Sequence, residues 1–209
     1  LRSFIRKSIN NVFYDVIYYN TKHHGISELL EILGSIINGF ALPLKTEHKK
    51  FLRNVLIPLH KCDKLQIFHQ QLSYCITQFI DKDNTLAPVV IGGLLKFWPI
   101  TSSSKEVLLL SELEEILECT NTEEITTFIE PIFKRLGLSI SNPHFQVSER
   151  ALFYWHNELI SSLSREYKNN IFPIIIPHLL KINNNHWNNT VTSLSLNVTK
   201  MLNEIDNNL

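Results

Sequence analysis

Apolar residues return every three to four positions along most of the chain, the spacing of a helix face, and no stretch alternates with the period of a strand. The pattern is sharpest in Gly25-Ile26-Ser27-Glu28-Leu29-Leu30-Glu31-Ile32-Leu33-Gly34-Ser35-Ile36-Ile37-Asn38-Gly39-Phe40-Ala41-Leu42-Pro43-Leu44-Lys45. At about 100° per residue, Ile26, Leu29, Leu30, Leu33, Ile37 and Phe40 gather on one narrow face that reads as core. Glu28, Glu31, Ser35 and Asn38 lie opposite and read as solvent-facing. Ile32 and Ile36 belong to neither set. They stand one turn apart on the shoulder between the faces, where a surface helix ordinarily turns polar. Two such isoleucines either pack on a neighbouring helix or line a groove that another segment fills.

The same period predicts ten helices. The first covers 3–19, with Ile5, Ile9, Val12, Phe13 and Val16 on one face, and the second is the stretch above, ended by Pro43. Others cover 46–59, stopped by Pro58, then 66–81, 85–98 and 105–119. A helix over 122–137 should kink or restart at Pro131, and the next should begin near Asn142-Pro143 and continue through Leu159. Residues 167–181 hold Pro173 and Pro177 and should be bent or broken. The last helix should start in the Asn-rich turn 183–185 and run through Met201.

Short connections then give a helix pair about every 40 residues, the period of HEAT or armadillo-like repeats. The expected fold is all-α: an α-solenoid of about five antiparallel helix pairs forming a single domain over 1–209. The repeats share little identity; only Ala41-Leu-Pro-Leu-Lys45 and Leu56-Ile-Pro-Leu-His60 resemble one another. A compact helical bundle is the competing architecture.

Composition narrows the class. The 209 residues, 44% hydrophobic with six glycines, can bury a sizeable core, and no apolar run has the length of a membrane span. The start lacks the h-region and cleavage site of a signal peptide. It also lacks an initiator Met and begins inside an amphipathic pattern, so the natural chain is expected to extend upstream. Cys62, Cys75 and Cys119 form no C-x-x-C pair and read as reduced thiols, pointing to cytoplasm or nucleus. Two Asn-x-Thr sequences, at Asn189 and Asn197, read as chance without a secretory signal.

Charge is zero overall but uneven. Residues 1–64 carry ten Lys/Arg against five Asp/Glu, residues 65–130 three against ten, and the remainder seven against five. Nucleic acid as a partner is therefore not expected, since a continuous basic footprint is absent. Glu112, Glu114, Glu115 and Glu118 read as solvated helix positions. Chemistry is sparse. There is no G-x-G-x-x-G, P-loop, H-E-x-x-H or G-x-S-x-G sequence, and Gly92-Gly93 reads as close helix packing. His23 and His24 are adjacent and would point apart on a helix, and the other histidines are scattered. No catalytic residue, metal site or cofactor is expected.

Specific runs go further than class. Ile5-Arg-Lys-Ser-Ile-Asn-Asn-Val-Phe-Tyr14, the stretch from Ser27 through His48, Leu59-His-Lys61 and Leu94-Leu-Lys-Phe-Trp-Pro99 resemble the B-prime regulatory subunits of protein phosphatase 2A. So do Ser104-Lys-Glu-Val107, Glu112-Leu-Glu-Glu-Ile-Leu117, the run from Pro143 to Trp155, and His186-Trp-Asn188. The resemblance covers essentially the whole chain.

It implies a HEAT-like superhelix without catalytic activity that binds phosphatase scaffold and catalytic subunits. It also implies a groove selecting substrate proteins by short Leu-x-x-Ile-x-Glu segments, more tightly when these are phosphorylated. Carried over by position, Ile32 and Ile36 match the groove isoleucines, while Arg2, Lys45 and His48 match its basic edge and Glu31 a groove-edge position. Arg6 follows from i,i+4 spacing to Arg2. The resemblance further implies repeats upstream of Leu1 that hold the motif's Glu, so that 1–209 carries part of the recognition site. The readings outside this family are an α-solenoid transport or RNA-binding factor and a hydrolase with no recognisable motif.

Overall fold

The computed structural model describes residues 2–19 and 24–206, and among them every regular element is helical. Helix α1 spans Arg2–Tyr19 and α2 spans Ile26–Asn38. Helix α3 runs through three stretches, Thr46–Phe51, a wider π turn Leu52–Leu56, and Ile57–Leu59. Short 3₁₀ turns lead into α4 (His69–Lys82) and α5 (Ala87–Lys96). Then follow α6 (Ser103–Glu118), α7 (Thr122–Thr126), α8 (Ile129–Ile140), α9 (Phe145–Leu152), α10 (Glu158–Glu166), α11 (Lys168–Asn185) and α12 (Asn189–Ile205).

The chain divides into two compact units, one of residues 1–99 with 115–125, the other of 100–114 with 126–209. In the first, α1 touches α3, α2 packs along α4, and α3 reaches α5. In the second, α8 packs on α11 and α9 on α12. Within each unit a helix thus meets one two or three places further along, as expected when a hairpin can bury its apolar stripe only against the next.

Proline explains the π turn. Pro58 has no N–H to return to Asn54, and its ring would crowd that carbonyl; the helix widens instead, with Ile57 N–H reaching Leu52 O. Pro58 therefore does not stop the helix before Leu59.

Of the other proline and asparagine expectations, the restart near Pro131 holds and the rest need correction. Helix α11 is continuous across Pro173 and Pro177, so of the bend or break expected there the break does not occur. Both prolines are exposed and stand four residues apart, so the carbonyls they leave unbonded lie on the watered side. The helix expected to run from 142 through Leu159 is interrupted by a 3₁₀ turn, Phe153–His156, after which Asn157 caps α10 by accepting Leu159 N–H at 3.0 Å. Likewise Asn183 to Asn185 complete α11, and α12 starts later, where Asn188 accepts Thr190 N–H at 2.9 Å. The expected helix over 122–137 restarts at Ile129, which puts Pro131 in the first turn of α8, where its missing donor costs nothing.

Helix α6 overturns another reading. Glu112 is fully buried, so it does not lie on a solvated face. Glu114 receives Arg150 Nη2 and, at 3.1 Å, Asn157 Nδ2. Glu106, 3% exposed, accepts Ser139 Oγ at 2.7 Å and Asn142 Nδ2 at 3.1 Å. Glu106 and Glu114 thus sit inside the second unit with donors provided. In the first unit Glu115 accepts Ser73 Oγ at 3.0 Å. Glu115 and Glu118 are exposed, as expected.

The Gly92-Gly93 reading holds at Gly93. A methyl there would stand 2.4 Å from Ile57 Cγ2, so the absence of a side chain sets how closely α5 approaches α3. Gly93→Ala should lower the unfolding free energy by about 1–3 kcal/mol. Gly39→Ala, whose new carbon would meet nothing nearer than 3.5 Å, should leave the denaturation midpoint almost unmoved. Urea titration of the two variants compares them directly.

Candidate peptide groove

Helix α2 begins at Gly25, whose φ of 81° is a backbone state costly for any other residue. Its first turn is followed by the core stripe foreseen from spacing: Ile26, Leu30, Leu33 and Ile37 are completely buried. Leu29 and Phe40, placed on the same face from the sequence, are only half-buried. Two links fix the helix against α4. Cys75 donates its thiol to Leu30 O at 3.3 Å, and burial pushes that thiol's pKa up to about 12, leaving it a packing group rather than a nucleophile. Gly34 accommodates the ring of Tyr74, which would lie 2.9 Å from any Cβ built there.

With those contacts made, the shoulder isoleucines are left outward. Ile32 is 50% exposed and Ile36 is half-buried; no helix among the described residues seals them. Glu31 is exposed beside them, within 3.4 Å of Gln71 Nε2 on α4. Lys45 is exposed, and its carbonyl accepts the N–H groups of His48 (2.9 Å) and Lys49 (3.2 Å), starting α3. The side chains of Arg2 and Arg6 lie outside the described residues.

His48 is placed differently from the others. It is only 6% exposed, its ring stacked on Phe40 with centroids 3.8 Å apart and planes 5° apart, and Nε2 lies 3.7 Å from Glu47 Oε1. Phe40 in turn meets Phe79 edge-on at 6.1 Å, and its carbonyl accepts Lys82 Nζ at 3.5 Å. Sequence spacing counted Phe40 as core and gave no hint of this stack. The signal available was an aromatic and a histidine eight residues apart across a proline-containing turn, too loose a pattern to imply a contact.

The structure thus gathers Glu31, Ile32 and Ile36 on α2 and ties the end of that helix to α3 through Phe40 and His48. What this arrangement offers chemically is apolar contact and charge, not bond-making. Among the described residues no three His, Cys, Asp or Glu side chains converge on a position for a metal, and no helix is long and apolar enough to cross a membrane.

Residues 1–209 match the family described as "Protein phosphatase 2A regulatory B subunit (B56 family)". The chain belongs to the B56 family. Similar B56-family proteins include the B' theta isoform of the 57 kDa regulatory subunit of serine/threonine protein phosphatase 2A from Arabidopsis thaliana, 57% identical over 205 residues, 98% of this chain and 42% of the relative. The human delta isoform of the 56 kDa regulatory subunit is 52% identical over 209 residues, all of this chain and 35% of the relative. The mouse alpha isoform is 53% identical over 209 residues, covering 43% of its length. The chain therefore spans less than half the length of these B56 relatives.

Electrostatics near this part of the first unit is set by Lys49, next to His48 in sequence. Its Nζ stands 2.6 Å from Asp83 Oδ2, and the hydrogen bonds from Lys49 and from Thr85 hold the Asp83 carboxyl below its ordinary pKa of 3.8. A carboxyl with a depressed folded-state pKa adds stability above its unfolded pKa, and loses it as pH falls through the folded value. Asp83→Asn should therefore be less stable than the wild type at pH 7, with the gap closing in acid below pH of about 3.8. Thermal melts across that range provide the check.

Proposed function

We propose that this chain is a non-catalytic part of a protein phosphatase 2A regulatory subunit that selects substrates. On this reading it assembles with phosphatase scaffold and catalytic subunits in the cytoplasm or nucleus. It holds short Leu-x-x-Ile-x-Glu segments of substrate proteins against Ile32 and Ile36. The observation that carries the reading is the outward position of those two isoleucines on a helix whose Ile26, Leu30, Leu33 and Ile37 are withdrawn from water. Family membership supports the phosphatase context, because the relatives are named as regulatory subunits.

The physics of such a groove is simple. Covering one motif side chain on exposed isoleucine contributes roughly 1.5–3 kcal/mol before the peptide's ordering is charged against it. Lys45, exposed at the start of α3, supplies a point charge for an acidic or phosphorylated motif residue. Glu31 works in the opposite sense and disfavours an acidic group over α2. The acidic middle of the chain, three Lys/Arg against ten Asp/Glu over 65–130, speaks against an RNA-binding solenoid.

The tests use the intact protein and isothermal calorimetry with a Leu-x-x-Ile-x-Glu peptide. Ile36→Asp should weaken binding by at least about tenfold, since it sets an unpaired carboxylate against the motif's aliphatic side chain, while the melting temperature holds. Unchanged affinity removes the groove. Lys45→Glu should weaken a phosphorylated peptide more than its unphosphorylated twin, and the difference should shrink in high salt.

A further inference from the structure

The sequence holds a single Asn-Gly pair, Asn38-Gly39, and the fold sets it at the very end of α2. An asparagine side chain carries a carbonyl carbon that the backbone nitrogen of the next residue can attack. A Cβ on that next residue crowds the approach, and glycine has none. Both residues are exposed, and the Asn38 amide group makes no hydrogen bond among the described residues. The Gly39 N–H reaches Ser35 O at 3.4 Å, longer than an ordinary bond of this kind, whereas Phe40 N–H meets Ile37 O at 2.9 Å. Nothing packs over the glycine: a carbon built there would meet only the carbonyl oxygens of Ile36 and Ser35, at 3.5 and 3.8 Å.

We propose that Asn38 is a site of spontaneous, age-dependent chemical modification. The Gly39 nitrogen loses its proton and bonds to Asn38 Cγ, the side-chain amide leaves as ammonia, and a five-membered succinimide results. Water then opens one or other carbonyl of the ring. One opening leaves aspartate at position 38. The other leaves isoaspartate, whose backbone runs through the former side chain and is one carbon longer. In sum, asparagine and water give aspartate or isoaspartate and ammonia, with no oxidant and no enzyme.

Position on the helix sets the rate. A helical backbone holds the glycine nitrogen off the side-chain carbon, so the reaction waits for the pair to open. At the end of a helix that opening is fraying, which slows the reaction by no more than about tenfold against a free peptide. Either product places a carboxylate where the helix dipole is negative. Isoaspartate also displaces Phe40, which meets Phe79 edge-on and whose carbonyl accepts Lys82 Nζ, both on α4. Modified copies therefore hold the end of α2 less firmly on α4. None of this depends on the groove reading, since neither Asn38 nor Gly39 is assigned to it.

The experiment incubates the intact protein and a free peptide of residues 34–43 in the same neutral buffer and samples both over weeks. Peptide mapping should find the fragment holding Asn38 about 1 Da heavier, in aspartate and isoaspartate forms. A purified L-isoaspartyl methyltransferase, used as a probe, should label the second form. The protein should convert within about tenfold of the peptide's rate. Gly39→Ala, which meets open space in the fold, should convert more slowly than wild type in both protein and peptide. A protein rate more than about tenfold below the peptide's overturns the proposal, because the last turn then keeps the pair closed. Equal conversion of wild type and Gly39→Ala overturns it as well, since the route would then not pass through the glycine nitrogen.

Discussion

The orientation of α2 about its own axis is decided by burial. Ile26, Leu30, Leu33 and Ile37 are removed from water completely, each worth roughly 1.5–3 kcal/mol, and Gly34 and Cys75 lock the helix onto α4. Turning the helix to cover Ile32 would draw Leu30 and Gly34 away from α4 and carry Glu28 toward the interior. The six aliphatic positions span an arc of about 160° at 100° per residue, and the packing on α4 is centred on the end away from Ile32 and Ile36. The exposure of Ile32 and Ile36 is thus a consequence of packing and is maintained by it.

That much was legible in the sequence. A single 3.6-residue period separates the stripe from the shoulder, and the structure keeps the two apart. The helix inventory was legible for the same reason, because amphipathic spacing is a local property. What was not legible depended on partners far along the chain. Glu106, Glu112 and Glu114 look like any surface glutamates until Ser139, Asn142, Arg150 and Asn157 are brought to two of them by the fold. Pro173 and Pro177 signal a break locally, yet both face water, where unbonded carbonyls are satisfied without ending the helix. Among five candidate asparagines between 183 and 189, only the folded chain reveals that Asn188 ends up capping a helix.

The candidate site divides along the same line. The placement of Ile32, Ile36 and Glu31 together was legible because they share one helix, and that of Lys45 because it stands just before the next. The burial of His48 was not, since nothing in the order Phe40 to His48 tells a reader that two rings close face to face over the intervening turn. Resemblance located the residue; only the fold gives its burial.

The π turn in α3 decides which side chains at the end of that helix reach the core. An i→i−5 bond accommodates one residue more than a regular helix of the same rise, so Ile57 and Leu59 are rotated about 100° from where an uninterrupted helix would carry them. Both are in the core at that rotated phase. The extra residue and the proline after it make a matched pair: deleting one without replacing the other would swing a hydrophobic end of α3 into solvent.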